Sequence, residues 1–543
     1  MLAHKITARA REASASPSVS LEKGRYRMRA PSNRPATINE TIHTRPRSMS
    51  RPSSTQNSFY VVTLLLLLAS ACLACFGFAY YLFTTRWASR LSVYPQILAD
   101  NVSQVIDVEA LQLDHECPTI SPREKFLVYH THSGFHNQRI SLENALTLSH
   151  LLNRTLIIPP VRLGKPIRYC NYDALHSHLA LSDKSGLKHC SRILPDSFVP
   201  PECSGYYDYT HISWDWLVNL TEMESQFRFV LRQDPTDEWL HRCLGISDSQ
   251  VLSIQESNRY HYRFLDMVAS ATGPSDKYSK GLSISHLSAS REVLLQFGTL
   301  FGTTRLHLVE PKNAELRRMT RESMVFTNPL LLRVTDSISK LLGGSYVGAH
   351  IRMGDGVFLR SGEDNARVIW STLVYRVLGL GQNDTMSLKT LLSDVGVPLE
   401  PKLTSAPFTD HPFMFELSAP PIPFLSCRKK PHSHPSLQLL NVPLFLATDT
   451  RDPHTHPSLA IFFHAFPCTF TLADFSKELS ALEHLVNGDD GLNLKSFLLP
   501  FLDAMVIGKA SNVVGTGGST FSAFILDVLW RRYHGLGIKE RGV

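Results

Sequence analysis

The stretch that most limits what this chain can fold into is Phe126 to Pro160, FLVYHTHSGFHNQRISLENALTLSHLLNRTLIIPP. Phe126-Leu127-Val128-Tyr129 is a short apolar run and reads as a buried strand. A polar turn with one glycine follows, from His130 to Arg139. Ile140, Leu142, Leu146, Leu148, Leu151 and Leu152 then make a broad apolar stripe, with Ala145 beside it, which predicts a helix. Leu156-Ile157-Ile158 is a second buried strand, closed by Pro159 and Pro160. Strand, loop, helix and strand form a βαβ unit, which requires a parallel sheet and a right-handed crossover. In such sheets ligands sit where strand carboxyl ends meet loops and helix N-termini. His132 to Gln138 is therefore the first place to expect a site.

At 543 residues the chain is too long for one domain. Its net charge of +7 is unevenly spread. Residues 1–51 carry eleven Lys/Arg against three Glu, more than the whole surplus, so the charge describes a tail and gives no support for nucleic-acid binding. That tail, 1–58, is rich in Ser, Pro, Thr and Arg and is expected to be disordered and cytosolic. Phe59 to Phe83 contains no charged residue and is long enough for a transmembrane helix. The basic side is N-terminal, which predicts a single-pass type II protein of the Golgi or endoplasmic reticulum membrane, with the catalytic part in the lumen. A stem over 84–123 leads to the globular part. Of nine cysteines, Cys72 and Cys75 fall in the apolar run. Most of Cys117, Cys170, Cys190, Cys203, Cys243, Cys427 and Cys468 are expected to pair in an oxidising lumen, leaving at least one free. Cys170, Cys190 and Cys203 are close enough in sequence for a local staple. Glycosylation sequons begin at Asn101, Asn153, Asn219 and Asn383.

The first domain is expected over 124–326, with helices at 291–301 and 313–326. A helix at 330–342 feeds a strand at 346–352. The second domain, 327–543, carries a loop-rich insertion at 360–440, with one helix at 365–379. Regular patterning resumes with strands at 443–448, 469–472 and 512–514 and helices at 498–507 and 521–533. This alternation predicts two doubly wound α/β halves facing a cleft.

Three loops should face that cleft. Gly134-Phe135-His136-Asn137-Gln138 is one. His350-Ile351-Arg352-Met353-Gly354-Asp355 is the second, where Arg352 leaves a strand end as a fixed fork suited to a diphosphate, or else pairs with Asp355. Gly515 to Phe521 is the third: its glycines allow close backbone approach, and it opens a helix whose free N–H groups attract phosphate. No GK[ST] follows, so it is not a P-loop. His454 and His456 read as a solvated loop, not a metal site.

Together these loops resemble the GDP-fucose protein O-fucosyltransferases and the wider superfamily of inverting fucosyltransferases. The resemblance covers roughly 126–160, 345–356 and 440–533. It rests on the Gly134 to Gln138 loop, on His350 and Arg352 as a His-x-Arg strand end, and on Asp503 followed by Ser519-Thr520-Phe521-Ser522-Ala523-Phe524. It implies a GT-B fold, two Rossmann-like domains, with GDP-fucose held mainly by the second half and transferred to a protein Ser/Thr hydroxyl or a glycan with inversion. By the same resemblance Arg352 binds the β-phosphate and stabilises departing GDP, and His350 contacts the nucleotide. Asp503 reads guanine, since a carboxylate can accept from N1–H and N2–H together. Ser519, Thr520 and Phe521 hold phosphate and base or ribose. Asn137 orients the sugar or the acceptor, and Gly134, Phe135 and His136 share its loop. The chain has no DxD motif, so no metal and no other cofactor is expected. His136 stands where the family usually has glycine. The general base is left open, with Glu143 on the adjacent helix as a candidate. Two alternatives accompany this reading: transfer from another GDP-sugar, and a membrane-tethered pseudoenzyme or binding protein that kept the fold.

Overall fold

The βαβ unit expected from the sequence sits at the centre of a five-stranded parallel sheet. In the computed structural model of the chain, β1 is Phe126–Tyr129, α1 is Phe135–Leu151 and β2 is Thr155–Ile158. The description covers residues 117–540, apart from 194–196, 233, 268–276, 355 and most of 382–422, together with a few positions before Cys117. Helix α1 starts at Phe135, not at Ile140, so much of the expected polar turn is its first turn. Those residues look like a turn because they are polar, but a helix end can hold polar side chains where it faces a cavity.

An antiparallel pair follows, β3 (Val161–Gly164) with β4 (Tyr209–Ile212). Strands β5 (Phe229–Leu231), β6 (Val251–Ile254) and β7 (Leu294–Phe297) complete the first sheet in the order β5-β2-β1-β7-β6. The helix expected at 291–301 is therefore wrong: Leu294 to Phe297 is a strand buried between β1 and β6. A four-residue apolar run fits either element, and only its neighbours decide.

Helices α2 (Pro311–Ser323) and α3 (Pro329–Leu341) match expectation and lead to β8 (Val347–Ile351). Helix α4 (Gly356–Ser371), continued by a π-turn to Val377, occupies the start of the expected insertion. It is core and not surface loop, because Ala366, Ile369 and Trp370 are buried against the second sheet. Residues 392–422 of that segment lie outside the described residues. Next come β9 (Leu444–Thr448), β10 (Thr469–Phe470, shorter than expected), α5 (Lys495–Lys509), β11 (Asn512–Gly515) and α6 (Thr520–Phe524). Helix α6 runs on through a π-turn to Tyr533. The second sheet is parallel throughout, in the order β10-β9-β8-β11. From Ile106 onward the chain forms one compact unit.

Disulfides join Cys117 to Cys243, Cys190 to Cys203 and Cys427 to Cys468, while Cys170 is free. Among the described residues no helix is long and apolar enough to cross a membrane. The 59–83 run lies almost wholly outside the described residues, as do Asn101 and Asn383.

Helix α5 lies tightly on β8. A Cβ built on Gly348 would sit 2.9 Å from Ile507 Cγ2 and 3.1 Å from Ala510 Cβ. Overpacking of this kind costs about 1–3 kcal/mol. Gly348→Val is expected to lower the urea midpoint by an amount of that order; an unchanged midpoint would show that the contact has room to yield.

Candidate active site

Both sheets present switch points. Strand β1 has β2 on one side and β7 on the other; β8 has β9 and β11. Connections leave in opposite directions at such strands, and the gap above their carboxyl ends is where ligands bind in open α/β sheets. The loops after β1, β8 and β11 meet there around a cavity of about 1150 Å³. All ten residues expected at the site line it: Gly134, Phe135, His136, Asn137, His350, Arg352, Asp503, Ser519, Thr520 and Phe521.

The first loop turns sharply. Ser133 holds a φ of 64°, a left-handed conformation unusual for a non-glycine residue, and its N–H donates to the Ile167 carbonyl at 2.6 Å. Helix α1 follows with Gly134 as its N-cap and no side-chain cap. Gln138 does not face a ligand; its amide donates to the Arg162 carbonyl at 2.8 Å and accepts from the Arg162 N–H at 3.0 Å. Glu143 does not reach the cavity either. It is buried, accepts a hydrogen bond from Arg139, and lies 3.6 Å from Arg321, which pairs with Glu540. A carboxylate held between two guanidiniums away from the cavity cannot serve as general base.

The second loop is held by a residue the sequence reading passed over. Asp449, just beyond β9, accepts from the Met353 N–H at 2.7 Å and the Gly354 N–H at 2.8 Å. It also pairs with Arg352 Nη1 at 3.2 Å. Gly354 is what lets it approach, since a Cβ there would lie 2.5 Å from Asp449 Oδ2. The Arg352 N–H donates to Thr516 Oγ1 at 2.9 Å, so Arg352 is tied to both neighbouring strands. Asp355, the partner considered from sequence, lies outside the described residues. The sequence marked Asp449 only as the end of an apolar strand run; its pairing with the Arg352 strand comes from the fold.

The third loop caps α6: Ser519 Oγ accepts from the Ser522 N–H at 3.3 Å. Thr520 Oγ1 donates to Asn137 Oδ1 at 3.3 Å, joining the loops of the two sheets. The Phe521 ring stacks on His350, with centroids 4.5 Å apart, and meets the edge of His136 at 4.6 Å. His136 thus fills with an aromatic wedge the space a glycine would leave open. His350 Nδ1 bonds Ser522 Oγ at 2.6 Å. Burial, with Arg352 nearby, lowers the His350 pKa to about 3, and burial beside Arg139 holds that of His136 well below the usual range. Both imidazoles are neutral at physiological pH. Asp503, on α5, has no hydrogen-bond or ion-pair partner among the described residues, and desolvation pushes its pKa well above the usual carboxylate range.

Residues 126–369 match the family model described as GDP-fucose protein O-fucosyltransferase. Over those residues, under half of the chain, the sequence is similar to that family. Asp503 and the loop before Thr520 lie beyond the matched residues. A 38-residue stretch is 58% identical to O-fucosyltransferase 30 of Arabidopsis thaliana, covering 7% of this chain and 8% of that protein. The match therefore spans under a tenth of that relative. Among solved structures, POFUT1 in complex with GDP is 11% identical at a TM-score of 0.34, covering 77% of this chain and 97% of that one. POFUT1 in complex with GDP-fucose is 10% identical at 0.29, covering 73% and 99%.

The depressed histidine pKa has a consequence for stability. The unfolded chain takes up a proton at His350 below about pH 6.5, and the folded chain does so only near 3. This contribution is thus intact above about 6.5 and is lost as pH falls towards 3. His350→Asn is expected to make the fall in melting temperature between pH 6.5 and 4 less steep; an identical slope would count against the buried neutral imidazole.

The carboxylate of Asp449 gives a second test. Asp449→Ala removes an ion pair and the carboxylate that accepts from two backbone N–H groups, each hydrogen bond to a charged group being worth about 1.5–3 kcal/mol. Affinity for GDP is expected to fall at least about tenfold by calorimetric titration. Undiminished affinity would mean that Arg352 holds its position without Asp449.

Proposed function

We propose that this protein is a metal-independent, inverting fucosyltransferase that moves fucose from GDP-fucose to a protein Ser/Thr hydroxyl or a glycan. The observation that carries the reading is the convergence of three loops, distant in sequence, on one cavity holding Arg352 and Asp503. The family-model match over 126–369 supports the donor. Two parallel sheets with facing loops support a GT-B arrangement, with domains at 124–326 and 327–543.

In this reading the diphosphate lies between Arg352 and the N-terminus of α6, whose N–H groups favour anions. As the acceptor oxygen attacks the anomeric carbon from the opposite face, the sugar–phosphate bond breaks and charge gathers on the β-phosphate. Arg352, fixed by Asp449 and Thr516, is already in place to neutralise it. This supplies the stabilisation that a divalent ion gives elsewhere. Asp503 offers its unpaired carboxylate to the guanine N1–H and N2–H. Desolvation makes an empty site costly for that group and a donor-bearing ligand welcome. Asn137, linked to Thr520, orients the sugar or the acceptor at the seam between the loops.

The reading extends to a single-pass type II protein of the Golgi or endoplasmic reticulum. Three disulfides, which persist in oxidising compartments, support it. So does the charge-free run 59–83 behind a basic tail.

Arg352→Ala is expected to lower GDP-fucose turnover about 10²–10³-fold, in the range of a lost transition-state donor. The melting temperature should hold. Arg352→Lys should recover only part, because a point charge replaces a fork. Full turnover in the alanine variant would remove Arg352 from the mechanism. Absence of GDP binding in the unaltered protein would favour the pseudoenzyme alternative.

A further inference from the structure

The cavity has a second wall whose chemistry the donor reading above leaves unused. Arg162, Lys165, Arg168 and Arg259 line it, all from β3 and the loops of the first sheet. With Arg352 they make five cationic side chains against two lining carboxylates, Asp449 and Asp503. Asp449 is committed to the Arg352 loop. On the basic wall, Lys165 alone has a carboxylate, Asp208 at 2.7 Å. Among the described residues Arg168 and Arg259 have none, and both are exposed. Arg162 is the built part of the wall. Its guanidinium lies 3.5 Å from the centroid of the Tyr209 ring, and its Nη1 is buried with no hydrogen-bond partner. A buried cationic donor left unpaired is costly, and an anionic ligand would relieve it.

Two further observations select the kind of anion. Phe301 and Phe497, both half-buried, line the same cavity beside the buried Phe326 and Phe501, giving an apolar surface on which sugar rings pack. The edge of β3 is closed at Arg162, because Gln138 takes both its N–H and its carbonyl. An extended peptide cannot add there as a further strand. We infer that the basic wall is the acceptor subsite and that it takes an oligosaccharide bearing carboxylates, of uronate type. As an acceptor subsite it rests on the donor reading above.

The test titrates the full-length, detergent-solubilised protein with an oligogalacturonate, its carboxyl-reduced counterpart of equal length, a glutamate-rich peptide of equal charge, and GDP. The oligogalacturonate is expected to bind at least about tenfold tighter than the reduced chain and than the peptide. Arg168→Ala combined with Arg259→Ala should weaken oligogalacturonate about tenfold and leave GDP affinity unchanged. Both side chains are exposed, so the fold should tolerate the change. Equal binding of the reduced chain would overturn the inference. Equal binding of the peptide would overturn it in favour of an acidic protein acceptor. A parallel loss of GDP affinity in the double variant would assign the wall to the donor phosphates and overturn it too. A protein that binds oligogalacturonate but not GDP would instead overturn the donor reading, so the two failures are told apart.

Discussion

Strand β8 is hydrogen-bonded along both sides, and the site depends on the register of those two pairings. His350 faces Ala447 and Ile351 faces Thr448 on one side; His350 faces Gly515 on the other. The next residue along each strand is then fixed. Arg352, Asp449 and Thr516 leave adjacent strand ends side by side, close enough for an ion pair on the Arg352 guanidinium and a hydrogen bond from its backbone N–H. Side chains alternate along a strand, so a slip of one residue would turn Arg352 to the opposite face. The geometry around Arg352 is therefore a property of sheet pairing. Gly348, low on the same strand, lets α5 close against the sheet. The same helix carries Asp503.

Around that frame the protein has gathered aromatic rings and neutral imidazoles. His350, Phe521 and His136 form a contiguous stack from the second sheet to the first helix. Their neutrality matters. A protonated imidazole beside Arg352 would repel its guanidinium, and burial removes that state at physiological pH. The apolar surroundings also strengthen every charge interaction made inside the cavity. Asp503 bears the corresponding cost, a carboxyl stripped of water and without a partner among the described residues. Sites often carry such local penalties, which the rest of the fold supports.

What could be read from the sequence follows from this division. The strands at 126–129, 155–158, 347–351 and 444–448 are apolar runs bounded by polar turns, and their loops could be located from them. Leu294 to Phe297 could not, because a buried strand of four residues has no period to distinguish it from a helical fragment. The start of α1 was obscured because His136 to Arg139 are polar and look like a turn. They are polar because one end of the helix faces the cavity and the other joins the Glu143 network. Asp449 is invisible in one dimension: its role comes from lying opposite Arg352, almost a hundred residues earlier, through the β8–β9 register. The basic wall was hidden for a different reason. Arg162, Lys165 and Arg168 lie in a loop-rich stretch without periodicity, and only the fold shows that they share a cavity with Arg259.

The two walls also differ in how their chemistry is held. In the proposed reading the donor-side groups stand on strand ends and helix starts, with Asp503 in the body of α5, positions set by backbone hydrogen bonding. Apart from Arg162 on β3, the basic wall is carried by loops, which tolerate substitution without disturbing a core. A nucleotide sugar is one fixed molecule, and rigid positions suit it, because a misplaced guanidinium loses much of its effect on the departing phosphate. An acceptor chain is extended and variable, and long basic side chains can follow its charges with little strain. Once a nucleotide diphosphate has neutralised Arg352, the charge left in the cavity is that of the loop wall. In the proposed reading the fold thus separates the field that acts on the leaving group from the field that gathers the acceptor.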